Sequence, residues 1–186
     1  MSRLSIFPER SDAACVPAPL PLLVSDDAAV IQAELERRGI RFEQWPSPLH
    51  LSSGAAEAEI LAAYGDAITR LQQESGYRIV DTMRITPEHP EREARRQQFL
   101  AEHCHDNDEV RVFVEGQGLF CFHIGQDVLL TLCERGDLIS VPAGTRHWFD
   151  MGSRPAFCVL RFFSDNEGWV ANYTGDPIAA RFLRLD

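Results

Sequence analysis

The chain has no uninterrupted apolar run approaching the roughly 20 residues that a membrane-spanning helix needs. Its apolar stretch Ala13–Val24 is broken by Pro17, Pro19 and Pro21. It also lacks a surplus of positive charge. Against 28 acidic residues stand 18 basic ones, a formal net charge of −10, whereas a nucleic-acid-binding chain presents a basic face. There is no C-x-x-C pair and no secretory signal, and the five cysteines, Cys15, Cys104, Cys121, Cys133 and Cys158, are an odd number scattered along the chain. This pattern argues against a disulfide framework, and Cys121, Cys133 and Cys158, each in an apolar strand-like run, read as small buried hydrophobes. Internal repeats and low-complexity segments are absent as well. What remains is a soluble, cytoplasmic protein of 186 residues, one domain by length, with no nucleic-acid or membrane partner.

What is present is concentrated in a short stretch. His103-Cys-His105 is followed by Asp106-Asn-Asp108 and then Glu109-Val-Arg111-Val-Phe-Val-Glu115, with Gly116 after it. Two imidazoles and a carboxylate thus stand in the spacing His-x-His-x3-Glu. A third imidazole, His147, closes Gly136-Asp-Leu-Ile-Ser-Val-Pro142-Ala-Gly144-Thr-Arg-His147. Three nitrogen donors and one hard oxygen suit Fe(II), Ni(II), Mn(II) or a related ion. A structural zinc site would favour thiolates in a closed tetrahedral shell, and no cysteine belongs to this set.

Residues 103, 105, 109 and 111 share parity, so an extended backbone turns them to one face and turns Cys104 away. The polar run 106–108 predicts a bend that returns Glu109 toward the imidazoles. Gly116-Gln-Gly118 predicts a turn into Leu119–Ile124 as an antiparallel partner. Pro142-Ala-Gly144 marks another turn, and a small closed barrel would bring His147 opposite the first three donors. A lone strand histidine is usually a core or surface residue. Accordingly His123, with no partner at ligand spacing, reads as structural, and His50 and His89, beside prolines, as loop or cap residues.

Elsewhere Ser25-Asp-Asp27 predicts the cap of a helix that stops at Gly39. Extended chain follows over Ile40–Trp45. Helical spacing of Ile60, Leu61, Tyr64, Ile68 and Leu71 predicts one helix over Ala55–Ser75, stopped by Gly76, then a strand over Tyr77–Ile85. A charged helix after Pro90 leads to Gln97-Gln-Phe99-Leu100, its charges taken as a solvated face. From 109 to 163 six short apolar runs predict a β-rich meander.

The residues 97–163 resemble the two-part signature of the cupin superfamily. Gln97 and Met151 depart from it at positions where glycine and asparagine are usual. More closely, Glu102-His-Cys-His-Asp-Asn-Asp-Glu-Val-Arg111, the segment 136–149 ending in His147-Trp-Phe149, and Arg161-Phe-Phe are similar to the acireductone dioxygenase family, with weaker similarity at Gly39–Trp45 and Gly168-Trp-Val-Ala. The resemblance implies a mainly β chain with flanking helices, folded as a cupin-type, jelly-roll-like antiparallel β-barrel in one domain over 1–186. Residues 1–96 would pack on the barrel, 97–163 would form its metal-binding core, and 164–186 would be a tail.

It further implies one Fe(II) or Ni(II) ion per chain on His103, His105, Glu109 and His147, and a monomer acting on a small enediol substrate with O2. The substrate would be the acireductone 1,2-dihydroxy-3-keto-5-methylthiopentene of methionine salvage. The iron form would release formate and 2-keto-4-methylthiobutyrate; the nickel form would release 3-methylthiopropionate, formate and carbon monoxide. Other metal-dependent cupin enzymes, or a non-catalytic binding cupin, would keep the same four donors. Arg111, on the ligand face, is placed to neutralise an anionic substrate, or else to pair with Glu102 or Glu115. Arg161 carries the same charge logic in the apolar run 159–163, provided it faces inward. Phe99 and Phe149 resemble pocket aromatics of the family that exclude water and hold the thioether tail, though single aromatics are more often plain core. Trp148, of opposite parity to His147, is expected outside the site.

Overall fold

The computed structural model describes residues 1–9, 20–48, 51–165 and 169–185. Cys15, His50 and Gly168 lie outside the described residues. In chain order the first half carries β1 (Arg3–Pro8), β2 (Leu23–Ser25), α1 (Ala28–Glu36), β3 (Arg41–Gln44), α2 (Glu57–Ala63), α3 (Gly65–Ser75), β4 (Ile79–Ile85) and α4 (Arg92–Leu100). The second half carries β5 (His103–Cys104), β6 (Glu109–Glu115), β7 (Gln117–Ile124), β8 (Asp127–Glu134), β9 (Asp137–Val141), β10 (Arg146–Asp150), β11 (Phe157–Phe163) and β12 (Asn172–Tyr173), then a 3-10 turn at Pro177–Arg181.

The strands form two antiparallel sheets that pack face to face in the cupin manner. One is seven-stranded, in the order β12-β5-β10-β7-β8-β1-β2; the other is five-stranded, β3-β9-β6-β11-β4. Alternation along each strand sorts side chains into three apolar layers. Between the sheets lie Ile6, Phe42, Phe113, Phe120, Ile139, Phe149 and Val159. Outside the five-stranded sheet, Val110, Val112, Leu160 and Phe162 are covered by Ile60, Tyr64, Ile68 and Leu71 of the helices. Outside the seven-stranded sheet, Cys121, Leu130 and Trp148 are covered by Ile178 and Phe182. Both faces of β6 are therefore buried, and its odd-numbered residues, Glu109, Arg111 and Phe113, point between the sheets.

Two sequence expectations are corrected here. Residues 109–163 are not a meander: β6, β9 and β11 belong to one sheet and β7, β8 and β10 to the other. The turn at Gly116 likewise does not make β7 the partner of β6, which pairs with β9 and β11. It passes the chain between sheets instead, because strands apolar on both faces need cover on both sides. That crossing is tight. Gly116 has φ +69°, and a Cβ there would stand 1.9 Å from the Ala156 carbonyl oxygen. Left-handed backbone strain adds to a backbone clash, so Gly116→Ala is expected to cost about 3 kcal/mol or more. A thermal unfolding scan should register a fall of roughly 10 °C; an unchanged midpoint would mean that the crossing relaxes freely.

Asp27 caps α1 by accepting from the Ala29 and Val30 amides at 2.9 and 3.1 Å, and Gly39 follows the helix at φ +82°. The helix expected over Ala55–Ser75 is two helices. Tyr64, at φ −101° and ψ 8°, breaks the run, and both pieces then lay Ile60, Tyr64, Ile68 and Leu71 on the sheet. The charges before the metal motif are not all solvated. Arg96 of α4 donates to buried Asp150 at 2.8 and 3.1 Å, docking the helix against β10. Asp150 also accepts from the Gly152 and Leu185 amides, both at 2.9 Å. β1, β2, β12 and the short turn at Pro177–Arg181 had no sequence signal assigned to them.

Candidate metal centre

β5 ends at Cys104, and His103 pairs directly across to His147 on β10. His105 follows one residue later, and the bend at 106–108 is pinned to the second turn by hydrogen bonds. The Gly144 amide donates to the His105 carbonyl at 2.8 Å, and the Ala143 amide donates to Asp108 Oδ1 at 2.9 Å. The two turns seen in the sequence are thus tied to each other. Glu109, the first residue of β6, enters from the other sheet.

The result is a compact cluster. Ring centroids of the three histidines lie 4.5–5.2 Å apart, and their donor atoms lie within 4.8 Å of one another. Glu109 Oε2 is 3.1 Å from His105 Nε2 and 3.0 Å from His147 Nε2. Each Nδ1 faces a backbone carbonyl: His103 that of Ala101 at 2.7 Å, His105 that of Val170 at 2.8 Å, His147 that of Thr145 at 2.8 Å. Carbonyl acceptors hold the hydrogen on Nδ1 and direct the Nε2 lone pairs at a common point, the usual outer arrangement of histidine metal ligands. The donor set fits a divalent cation. Cys104 sits on the other side of the strand, with Sγ 3.9 Å from the Asn172 carbonyl oxygen.

Charge explains the rest. Burial works to raise the Glu109 pKa, but Arg111 and the two imidazoles outweigh it and hold the carboxyl well below the ordinary range. Arg111 is buried, and its partner is Glu109, with Nη2 2.5 Å from Oε1, rather than Glu102 or Glu115. Glu115 pairs with Arg84, and Glu102 with His123 at 2.6 Å. Arg111 Nε and Nη1 have no hydrogen-bond partner among the described residues. Burial pulls the guanidinium pKa down, yet arginine remains a cation. Its plane sits near four rings: Phe149 at 5.0 Å, Phe120 and Trp169 at 5.3 Å, and Phe99 at 5.9 Å.

Burial, reinforced by neighbouring His147, pushes His103 down to about 4. For His105, burial opposes protonation, but the hydrogen bond to Glu109 prevails and its pKa is raised. The two act in different pH windows. The stability that His105 contributes is complete below the ordinary imidazole value near 6.5 and is lost as pH rises through its raised value. The His103 penalty is absent above 6.5 and accumulates as pH falls toward about 4, reaching about 3 kcal/mol. For metal-stripped protein, this pair therefore sets a stability maximum near pH 6.5. Denaturant titrations between pH 8 and pH 4 in chelator check it; a profile without that maximum would mean that these imidazoles titrate as free ones.

A cavity of about 520 Å³ opens onto His103, His105 and Arg111. Phe99 lines it. Phe149 does not: it lies behind Phe99, with ring centroids 6.2 Å apart, and beneath Arg111. Arg161 does face inward, but Asp81 already holds it through two bonds of 2.8 and 2.6 Å. Trp148 packs outside, against Phe182. His123, which had no partner at ligand spacing in the sequence, is bracketed by Glu102 and Glu9 at 2.6 and 3.1 Å. His89 accepts from the Glu91 amide where α4 begins. Sequence reasoning missed Asp81, Met83, Trp169 and Tyr173 as cavity residues. Trp169 lay in a segment similar to the family, and parity along β4 already put Asp81 and Met83 on one face, but nothing local showed which face looked inward.

Two antiparallel sheets enclosing three imidazoles and a carboxylate define a metal-binding cupin. Its relatives narrow the class. Residues 25–171 match the ARD/ARD′ family, and the chain belongs to it. It is 61% identical over 186 residues, the whole of both chains, to an acireductone dioxygenase of Parasynechococcus marenigrum (strain WH8102). It is 60% identical over 185 residues, again with full coverage of both, to one of Prochlorococcus marinus (strain MIT 9303). An acireductone dioxygenase from Bacillus anthracis, with a cadmium ion in its active center, superposes with a TM-score of 0.77 at 27% identity, covering 93% of this chain and 98% of that one.

Proposed function

We propose that this chain is a metal-dependent dioxygenase that cleaves the acireductone 1,2-dihydroxy-3-keto-5-methylthiopentene with O2 in methionine salvage, as a cytoplasmic monomer. The observation that carries the proposal is the clustering of three carbonyl-oriented imidazoles, two of them against Glu109, beside a buried guanidinium that borders a cavity and has two donors without a partner among the described residues. His103, His105, Glu109 and His147 would hold one Fe(II) or Ni(II) ion. When bound, such an ion supplies Lewis-acid activation of the enediol oxygens and a route to O2 chemistry.

The protein's own groups do the rest. The carbonyls of Ala101, Val170 and Thr145 keep the imidazoles oriented through their Nδ1 hydrogens. Arg111 Nε–H and Nη1–H are placed to donate to an anionic oxygen of the enediolate and to hold the negative charge as the substrate loses its protons. Phe99 at the wall, with Phe149 and Phe120 behind, excludes water from that ion pair and so strengthens it. Arg161, its charge matched by Asp81, shapes the wall.

In this reading the iron form gives 2-keto-4-methylthiobutyrate and formate, and the nickel form gives 3-methylthiopropionate, formate and carbon monoxide. Three nitrogens and one oxygen accept either ion, so supply decides occupancy. The test is to strip the metal, reload separate samples with Fe(II) and Ni(II), and analyse the products from a desthio acireductone under air. Keto acid plus formate from the first and carbon monoxide from the second are expected. Equal, metal-independent decay in all samples would leave a metal-binding cupin with a different substrate.

A further inference from the structure

The chemistry above uses one end of the cavity, and the wall made by β4 has no role in it. Ile79, Asp81 and Met83 stand two residues apart on one face of β4 and all line the cavity. Their register partners on β11 are Phe163, Arg161 and Val159. Arg161 Nε and Nη2 grip both oxygens of Asp81, so the charges at the centre of this wall cancel. Two half-buried aliphatic side chains flank a neutral pair, with Phe163 beside one of them. This wall shares the cavity with His103, His105 and Arg111, so it is open to the remaining atoms of a molecule whose oxygen-rich end lies at those three residues.

We infer that the inner face of β4 selects the substrate's tail: Ile79 and Met83 are specificity-determining residues for a short, uncharged alkyl or thioether chain, and Asp81 disfavours anionic tails by cancelling Arg161. This inference rests on the acireductone reading for its substrate but not for its test. Met83 suits the task because its flexible, polarisable side chain moulds to a small apolar group. A carboxylate-ended tail would instead meet Asp81, with no unmatched cation on this wall to receive it.

Binding of keto acids to the nickel-loaded protein, measured by calorimetry, tests the wall without turnover. Pyruvate and 4-methylthio-2-ketobutyrate share the chelating end and differ in the tail. Met83→Ala and, separately, Ile79→Ala are expected to weaken the longer acid by about ten-fold while leaving pyruvate unchanged. Asp81→Asn is expected to gain affinity for 2-oxoglutarate, whose second carboxylate could then meet an uncancelled Arg161. In turnover, KM for a tailed acireductone should rise with kcat held, and a tail-less one should be unaffected. Equal losses for both keto acids, or no loss in either, would overturn the inference, as would an Asp81→Asn protein indifferent to 2-oxoglutarate. If wild-type protein turns over no acireductone yet discriminates the keto acids through Met83 and Ile79, the wall stands and the substrate assignment falls.

Discussion

Stripping the metal is expected to lower the melting temperature by about 10 °C and to abolish oxygen consumption, both reversed by adding back Fe(II) or Ni(II). An ion present at about a thousand times its dissociation constant stabilises the folded state by about 4 kcal/mol, and a chain of this length shifts by roughly 2–4 °C per kcal/mol. The site gives reason to expect the full effect. Without the ion, a buried carboxylate and guanidinium remain between the sheets, with two imidazoles pressed onto one carboxylate oxygen. Desolvating such charges costs more than their attraction returns unless every lone pair is used. Below the raised pKa of His105, rebinding should also release a proton, since only the neutral imidazole binds a metal. A melting temperature indifferent to chelator, alongside confirmed metal loss, would mean that the four residues are not the ligands.

Arg111→Met is expected to lower kcat about a hundred- to a thousand-fold with metal content unchanged, the size of effect seen when one donor to a developing negative charge is removed. Methionine keeps much of the volume among Phe99, Phe120, Phe149 and Trp169 while deleting every donor. Arg111→Lys should not rescue, because an ammonium cannot both reach Glu109 and present a planar fork to the substrate. Stability separates the roles further. In metal-free protein the substitution leaves Glu109 without its cation, a loss of about 3–5 kcal/mol; with metal bound the penalty should shrink. Metal analysis with steady-state kinetics decides the matter. A change confined to KM would make Arg111 a binding group only, and unaltered kinetics would remove it from the mechanism.

The metal cluster was legible because its information is local. His103 and His105 share strand parity, the run 106–108 is rich in turn formers, and Gly144 marks the bend before His147. Arg111 could be placed on the ligand face by the same parity, but the partners the sequence offered, Glu102 and Glu115, were not the one found, because Glu109 was assigned to the metal alone. The fold was legible in its pieces and not in their pairing. Leu119–Ile124 reads as a strand and lies within β7, which begins two residues earlier, yet apolarity on both faces does not say which sheet a strand joins. In the sequence Tyr64 is one more apolar position at helical spacing, whereas its conformation ends one helix and starts another. Phe149 and Phe99 looked equivalent as aromatics, whereas only Phe99, on a helix docked by Arg96, reaches the cavity wall. The difference between Phe99 and Phe149 depends on a contact across 54 positions, between Arg96 and Asp150.

Asp150 has a dynamic consequence. One buried carboxylate accepts from Arg96 on α4, from Gly152 just beyond its own strand and from Leu185 near the chain's end, while three residues earlier on the same strand stands His147. None of these segments can separate from the barrel without breaking bonds shared by the others. The wall carrying Phe99, the strand carrying His147 and the final residues should therefore open together as one cooperative unit, their backbone amides exchanging with solvent deuterium at a common rate.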